Sequence, residues 1–331
     1  MRYFLTIISF ISIGQLFGQN LTPESLGYRH LQFLYQKDTV DILVKSKKGD
    51  EQKRKPIFLF IQGSLPVPLI LYDTISNYPI FVFNTDSLTT DYHLAVIGKP
   101  FIPLISNTKK LAGNFTYNDP KTGQFPKEYT TRNLIDYYVK RNIGAIQYLQ
   151  SQPWVSKNKL VVAGHSEGAA IAAKLASVST NITHLIYSSG NPLGRIMSII
   201  RQSREAETDT TAFAENDFDT WKKIIASPND LNSTGDTYKA TYGFSVPPPI
   251  DFLKQIRIPV LVAYGTKDHT APYIDYLRIE IIRLKKQNFT FMPYLGLEHN
   301  FFGFKQTGEI DYNKFYWNRV ALDWYHWLQT K

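Results

Sequence analysis

The 331-residue chain contains no cysteine. Disulfides, thiolate zinc sites, iron–sulfur clusters and cysteine nucleophiles are therefore excluded together. It has no internal repeat and no low-complexity tract, and beyond its first residues no apolar run of membrane-spanning length. No phosphate-cradling glycine loop occurs, and no His, Asp and Glu stand at metal-ligand spacing, so neither a cofactor nor a metal is expected. Charge of one sign is only mildly in excess: 37 Lys and Arg against 28 Asp and Glu give +9. Spread over this length, that excess implies a solvated surface, and no nucleic-acid partner is expected. What is present, 43% hydrophobic and 20% charged residues, is the composition of a packed globular protein. The length suits one large domain or two of average size.

The N-terminus reads as an address. Met1-Arg2-Tyr3 carries one positive charge, Phe4 to Phe17 is apolar but for Ser, Thr, Gly and Gln15, and Gly18 offers a small residue at a cleavage point. This is the three-part pattern of a secretory signal, too short to be a membrane span. Residues 1–18 are therefore expected to be a signal peptide. The protein is expected to be exported to a periplasm or the exterior, with no stable membrane span after cleavage. Loss of Arg2 takes the net charge from +9 to +8. With no Cys after the apolar run, no lipid anchor is expected. The Asn-x-Ser/Thr triplets at Asn114, Asn181, Asn232 and Asn288 matter only in a eukaryotic secretory route.

Strands then alternate with helices. Val40–Val44, Ile57–Ile61, Tyr92–Ile97, Leu160–Ala163, Ile182–Tyr187, Val260–Tyr264 and Phe289–Tyr294 read as strands, several of them continuously apolar and hence buried on both faces. Helices are predicted over Thr131–Gln150, capped by Thr131, and over Ala169–Ser177, Tyr273–Leu284 and Phe315–Leu328. The mixed-charge stretch Lys45–Lys55 reads as a solvated hairpin turn. The alternation breaks over 191–257, a stretch with an acidic run and Pro247-Pro248-Pro249 but no strand candidate. A mainly helical cap is expected there, inserted into a core made of 19–190 and 258–331. The fold class is α/β, a mostly parallel central sheet with helices on both faces.

Chemistry-bearing residues stand at the ends of three strands. Gly164-His165-Ser166-Glu167-Gly168 follows a strand and opens a helix, the setting in which G-x-S-x-G presents a nucleophilic serine on a tight turn. A serine hydroxyl needs a base to take its proton and an acid to hold that base in the right tautomer. Asp268 follows the strand ending in Tyr264 and the Gly265 turn. His299, in Gly296-Leu297-Glu298-His299-Asn300, follows the strand ending in Tyr294. Backbone N–H donors for an oxyanion would come from Glu167 and from the Gly63-Ser64-Leu65 loop, with Ser64 the first choice.

On GHSEG at Gly164–Gly168, GTKD at Gly265–Asp268, EHN at Glu298–Asn300 and QGS at Gln62–Ser64, the chain resembles the α/β-hydrolase superfamily over nearly its whole length. The resemblance implies Ser166 as nucleophile, Asp268 as acid, His299 as general base and the loop after Ile61 as half of the oxyanion hole. Many relatives carry His-Gly in that loop where this chain has Gln62-Gly63. Within the superfamily, GHSEG resembles peptidase-like and dienelactone-hydrolase-like esterases or thioesterases.

The implied activity is cleavage of an ester, thioester or amide through an acyl-enzyme, on a small-molecule ester or a short peptide. Two alternatives are an exopeptidase on the same fold, with Glu205, Glu207 or Glu215 holding the substrate amine, and a non-catalytic binding protein. His269 reads as a pocket-rim residue and His165 as packing beside the nucleophile, while His93, His184 and His326 read as structural. Phe213, Phe218, Trp221, Tyr242 and Phe244 in the insertion could line an apolar pocket or simply pack the cap.

Overall fold

The computed structural model describes residues 21–78, 80–232 and 236–331. The expected signal peptide lies outside the described residues. Eight strands form the main sheet: β1 Tyr28–Tyr35, β2 Asp38–Lys45, β3 Lys55–Ile61, β4 His93–Ile97, β5 Val155–His165, β6 His184–Ser188, β7 Val260–Gly265 and β8 Phe289–Tyr294. Their spatial order is β1-β2-β4-β3-β5-β6-β7-β8. β1 and β2, and β2 and β4, pair antiparallel; every later pair is parallel.

The continuous apolar runs have a direct physical reason. In β3, Ile57, Leu59 and Ile61 enter one core cluster while Phe58 and Phe60 enter the cluster on the opposite face. β5 does the same with Leu160 and Val162 against Val161 and Ala163. Side chains alternate faces along a strand, so a sheet covered on both sides needs apolar residues at every position. The first face is covered by α1 Ile135–Gln150, α2 Glu167–Val178 and, later in the chain, α7 Ala271–Arg283. The second is covered by the closing helix α8 Trp317–Gln329, whose Trp317, Val320, Ala321, Trp324 and Leu328 form one buried stripe.

The stretch 191–257 holds α3 Arg195–Ala206, α4 Phe213–Ala226, α5 Tyr238–Gly243 and α6 Pro249–Gln255. Ile196 and Ile200 of α3 pack with Ala214 of α4 in a small cluster of their own. In contrast, Ile250 and Leu253 of α6 belong to the main core.

Three sequence expectations change. β2 and β3 are separated by β4, so Lys45–Lys55 is a crossover loop and not a hairpin turn. The real hairpin joins β1 to β2 through Gln36 and Lys37, both at positive φ (49° and 74°). That is the conformation of a two-residue hairpin loop, usually signalled by Asn-Gly, which this chain lacks here. Secondly, the helix predicted from Thr131 is two helices, Lys127–Arg132 and α1, because Leu134 is extended. Tertiary bonds hold the break: Arg132 and Tyr137 both donate to Asp38, and the buried Asn133 accepts from the Tyr138 hydroxyl. Thirdly, Phe315 ends a strand (Ile310–Phe315, paired with Phe302–Phe304), so the closing helix starts at Trp317, and β8 is not the last strand of the chain.

Candidate active site

Ser166 caps the N-terminus of α2 at φ 57° and ψ −123°, a backbone conformation that costs a non-glycine residue energy. The elbow holds it there through two close approaches. A Cβ on Gly164 would lie 2.1 Å from the Gly168 carbonyl oxygen, and a Cβ on Gly168 would lie 2.2 Å from that of Ile61. Both positions must be glycine because backbone fills the space a side chain would need. Parallel pairing then sets Ser166 beside the next strand, where its N–H donates to the Ser188 carbonyl (2.9 Å).

The loops after β5, β7 and β8 bring the three expected residues together. His299 Nε2 lies 3.0 Å from Ser166 Oγ, and His299 Nδ1 lies 2.9 Å from Asp268 Oδ2. Asp268 is 3% exposed, and its other oxygen accepts the Thr270 N–H (2.9 Å). Burial works against an imidazolium at His299, but the hydrogen bond and charge of Asp268, with Glu298 adding, outweigh it and raise its pKa above the usual histidine value. Burial likewise opposes the Asp268 carboxylate, and the His299 hydrogen bond and charge hold its pKa below the ordinary value. An imidazole so placed can take a hydroxyl proton at Ser166 and remain oriented by a carboxylate that stays ionised.

Glu167, the first residue of α2, has an N–H without a partner one turn back in the helix, as all first-turn residues do. Gly63, Ser64 and Leu65 all border the same cleft, and the buried Tyr129 hydroxyl donates to the Ser64 carbonyl (3.0 Å), fixing the loop. The cleft has a volume of 670 Å³ and includes Ser166 and His299 in its lining.

Several supporting residues escaped the sequence reading. The Glu298 carboxylate accepts the N–H groups of Asn300 (2.7 Å) and Phe302 (2.9 Å), which shapes the turn carrying His299. His165, which the sequence already suggested packs beside the nucleophile, is buried against Trp317, its Nδ1 3.1 Å from Ser188 Oγ, and burial pushes its pKa down to about 3, so it is neutral. The Glu167 side chain is buried between Lys99 (3.4 Å) and Arg195, the first residue of α3, and Arg195 also reaches Asp236 (3.0 Å). One ion pair thus ties the nucleophile's neighbour to the first residue of α3. Proximity in sequence could not have shown this, because the partners come from four separate segments. Replacing Arg195 by Met leaves Glu167 with Lys99 alone and is expected to cost about 3 kcal/mol. Urea denaturation checks it; a change under about 0.5 kcal/mol contradicts the clamp.

Other candidates fall elsewhere. Glu205 pairs with Arg201 (2.7 Å), while Glu207 and Glu215 pair with Arg204 (3.1 and 2.7 Å), and none of the three lines the cleft. Of the five aromatics named from the sequence, Phe213, Phe218, Trp221, Tyr242 and Phe244, only Phe244 does. Trp221 and Tyr242 stack on each other, and Phe213 and Phe218 are exposed. His269 lines the cleft, with its ring 5.1 Å from that of His299. Asp268, His269 and His299 bring potential metal-ligand atoms within 4.8 Å, a juxtaposition the sequence spacing did not suggest. His299, however, spends both ring nitrogens on Asp268 and Ser166. Among the described residues no helix is long and apolar enough to cross a membrane.

The family profile described as BAAT / Acyl-CoA thioester hydrolase C terminal matches residues 137–298, just under half of the chain, including Ser166 and Asp268. A search of curated proteins by sequence finds no match. Among solved structures, the chain is similar to Est1E from Butyrivibrio proteoclasticus, with a TM-score of 0.52 and 12% identity over 91% of this chain and 98% of that one. It is also similar to a 2,6-dihydroxy-pseudo-oxynicotine hydrolase (TM-score 0.54, 14% identity, 92% of this chain and 70% of that). A third likeness is to a puromycin-hydrolyzing peptidase of Mycobacterium tuberculosis (TM-score 0.52, 14% identity), where 83% of this chain covers 36% of that one. Strand order, sheet pairing and these likenesses agree: the chain has the α/β-hydrolase fold.

Proposed function

We propose that this protein is an exported serine hydrolase that cleaves a carboxylic ester, or a thioester or amide, by way of an acyl-enzyme. The observation that carries the reading is the unbroken hydrogen-bonded series from Ser166 Oγ through His299 to the buried Asp268, opening onto a cleft. In the first half-reaction His299 takes the Ser166 proton as Oγ attacks the carbonyl carbon. The N–H groups of Glu167 and the Gly63–Ser64 loop receive the oxyanion, each such donor typically worth about 3 kcal/mol. The protonated His299 gives its proton to the leaving group. Water then attacks the acyl-enzyme with His299 again as base, releasing the acid and restoring Ser166. No step calls for a cofactor or a metal. Export rests on the apolar segment Phe4–Phe17.

The esterase reading is preferred to the peptidase one. The cap carboxylates suited to an amine are spent on Arg201 and Arg204, and Asp236, which does border the cleft, is shared with Arg195. The test is a fluorophosphonate probe with peptide mapping, beside p-nitrophenyl esters and aminoacyl-p-nitroanilides as substrates. Label on Ser166 with ester turnover is expected. Preferred anilide turnover would move the assignment to a peptidase, and absence of label to a binding protein.

The pH dependence follows from the same geometry. His299 must be neutral to act as base, and its pKa is raised, so kcat/KM is expected to fall on the acid side with a midpoint above the usual histidine value of about 6.5. The stability contribution of charged His299 has the opposite sense. It is complete below the unfolded-state pKa and is lost as pH rises through the folded one. In Asp268→Asn, whatever activity remains should show its acid midpoint moved down, since the partner that raises it is gone. An unmoved midpoint would dissociate Asp268 from the base.

A further inference from the structure

The cleft around Ser166 has two unlike halves. Among the described residues of 65–82, only apolar side chains join its lining, among them Leu65, Val67, Leu69, Leu71, Ile80 and Val82. Residues 191–202, leading into and along α3, contribute instead Asn191, Arg195, Ser198 and Gln202, with Ile199 the exception. The charged residues among the lining (Glu167, Arg195 and Asp236) all lie outside 65–82.

The apolar half is a built wall. Leu69, Leu71 and Ile80 are held in the second core cluster or against the small sheet, each under a tenth exposed, so the surface exists before anything binds. Leu65 and Val82, both 43% exposed, carry it to the mouth. It continues outward through pairing of the small sheet, Ile70–Tyr72 against Asn77–Tyr78. Leu71 is directly opposite Tyr78, and opposed residues of an antiparallel pair project from the same face. Tyr78 in turn meets Phe115, ring centroids 5.8 Å apart, both rings over a third exposed. An apolar track thus runs from beside the nucleophile to the surface.

Chemistry assigns an end of the substrate to each half. The leaving group must meet His299 to receive its proton. The loop that presses on the His299 ring is the one bearing His269 and Thr270, both cleft-lining and polar. The loop expected to hold the oxyanion, Gly63–Leu65, runs without a break into the apolar wall, and with the leaving group on the His269–Thr270 side the acyl substituent of the same carbon is left with that wall.

We infer that the wall formed by residues 65–82 is an acyl-chain subsite, and that the substrate is a medium- to long-chain aliphatic acyl ester of a polar, hydrogen-bonding alcohol. The inference rests on the serine-hydrolase reading above. Each methylene laid on the wall leaves water in the bound and transition states alike, so kcat/KM rises with chain length.

The experiment uses the full mature chain and p-nitrophenyl esters from acetyl to dodecanoyl, beside alkyl acetates in which only the alcohol lengthens. From acetyl to about octanoyl, kcat/KM is expected to rise about fourfold per methylene, the equivalent of roughly 0.8 kcal/mol per buried CH2. The alkyl acetates should show no such rise. In Val82→Asp the octanoate-to-acetate ratio of kcat/KM should drop about tenfold. Because it is a ratio within one preparation, it does not depend on how much of the variant folds. A flat or falling acyl series overturns the inference, as does a rise confined to the alcohol series or a ratio that Val82→Asp leaves unchanged. If Ser166 takes the fluorophosphonate label while the acyl series is flat, the acyl subsite fails and the serine hydrolase stands. If no label is taken, the parent reading fails.

Discussion

Ser166→Ala is expected to lower kcat for a p-nitrophenyl ester by roughly 10⁴-fold or more, with KM little altered, and to abolish fluorophosphonate labelling. The size follows from the role: without Oγ no acyl-enzyme forms, and only the oxyanion donors and the cleft remain to assist water. Folding should be unaffected. Alanine tolerates φ 57° no worse than serine, and the elbow is held by the backbone bond to Ser188 and by its two glycines. The hydroxyl's hydrogen bond is to His299, a partner that itself keeps Asp268. Unchanged near-ultraviolet circular dichroism and Tm, measured beside the rate, separate loss of the nucleophile from loss of the protein. A variant that still takes the label would remove Ser166 from the mechanism.

Gly164→Ala is expected to fail for a different reason. The added methyl would sit 2.1 Å from the Gly168 carbonyl oxygen and 2.7 Å from the Ala169 nitrogen, and backbone cannot swing aside as a flexible side chain does. To make room, α2 must shift from β5, and α2 packs its Ala169, Ile171, Ala172, Ala173 and Leu175 into the first core cluster. The predicted cost exceeds about 4 kcal/mol, among the largest single-substitution effects. It should be seen as a loss of soluble protein or a collapsed urea midpoint. Gly123→Ala makes the contrast: its Cβ would meet nothing within 4 Å, so only the strain of its positive φ (68°) is paid. Equal stability of the two variants would contradict the close-approach account of the elbow.

Legibility in the sequence followed burial. β3 and β7 differ by a residue or two from the bounds their residues suggest, because strands covered on both faces stand out as unbroken apolar runs; β8, Phe289–Tyr294, has the suggested bounds although it is a half-buried edge strand. β1, at the other edge of the sheet, was missed because its pattern is mixed. Tyr28 to Tyr35 is half-buried, mixes Arg29, His30 and Gln32 with apolar residues, and turns through Gln36-Lys37 without a recognised turn signal. The helix break at Asn133 was missed because its cause lies in Asp38 and Tyr138 and not in local propensity.

For the candidate site, the motif-bearing residues Ser166, Asp268 and His299 were legible because each sits just past the end of a strand, where local pattern and chemistry coincide. Lys99, Tyr129, Arg195 and Asp236 were not, since each acts through a partner distant in the chain.

What the amino-acid sequence determined by itself was the class of fold, the absence of any thiol chemistry, and three residues of the right kinds in the right order. These are local properties: side-chain period, turn chemistry and composition. Only the tertiary structure decided that the three meet within hydrogen-bonding distance, that Glu205, Glu207 and Glu215 are paired with arginines, and that one side of the cleft is apolar. Those outcomes depend on which strands become neighbours, and strand order is set by long-range packing that no short stretch of chain encodes.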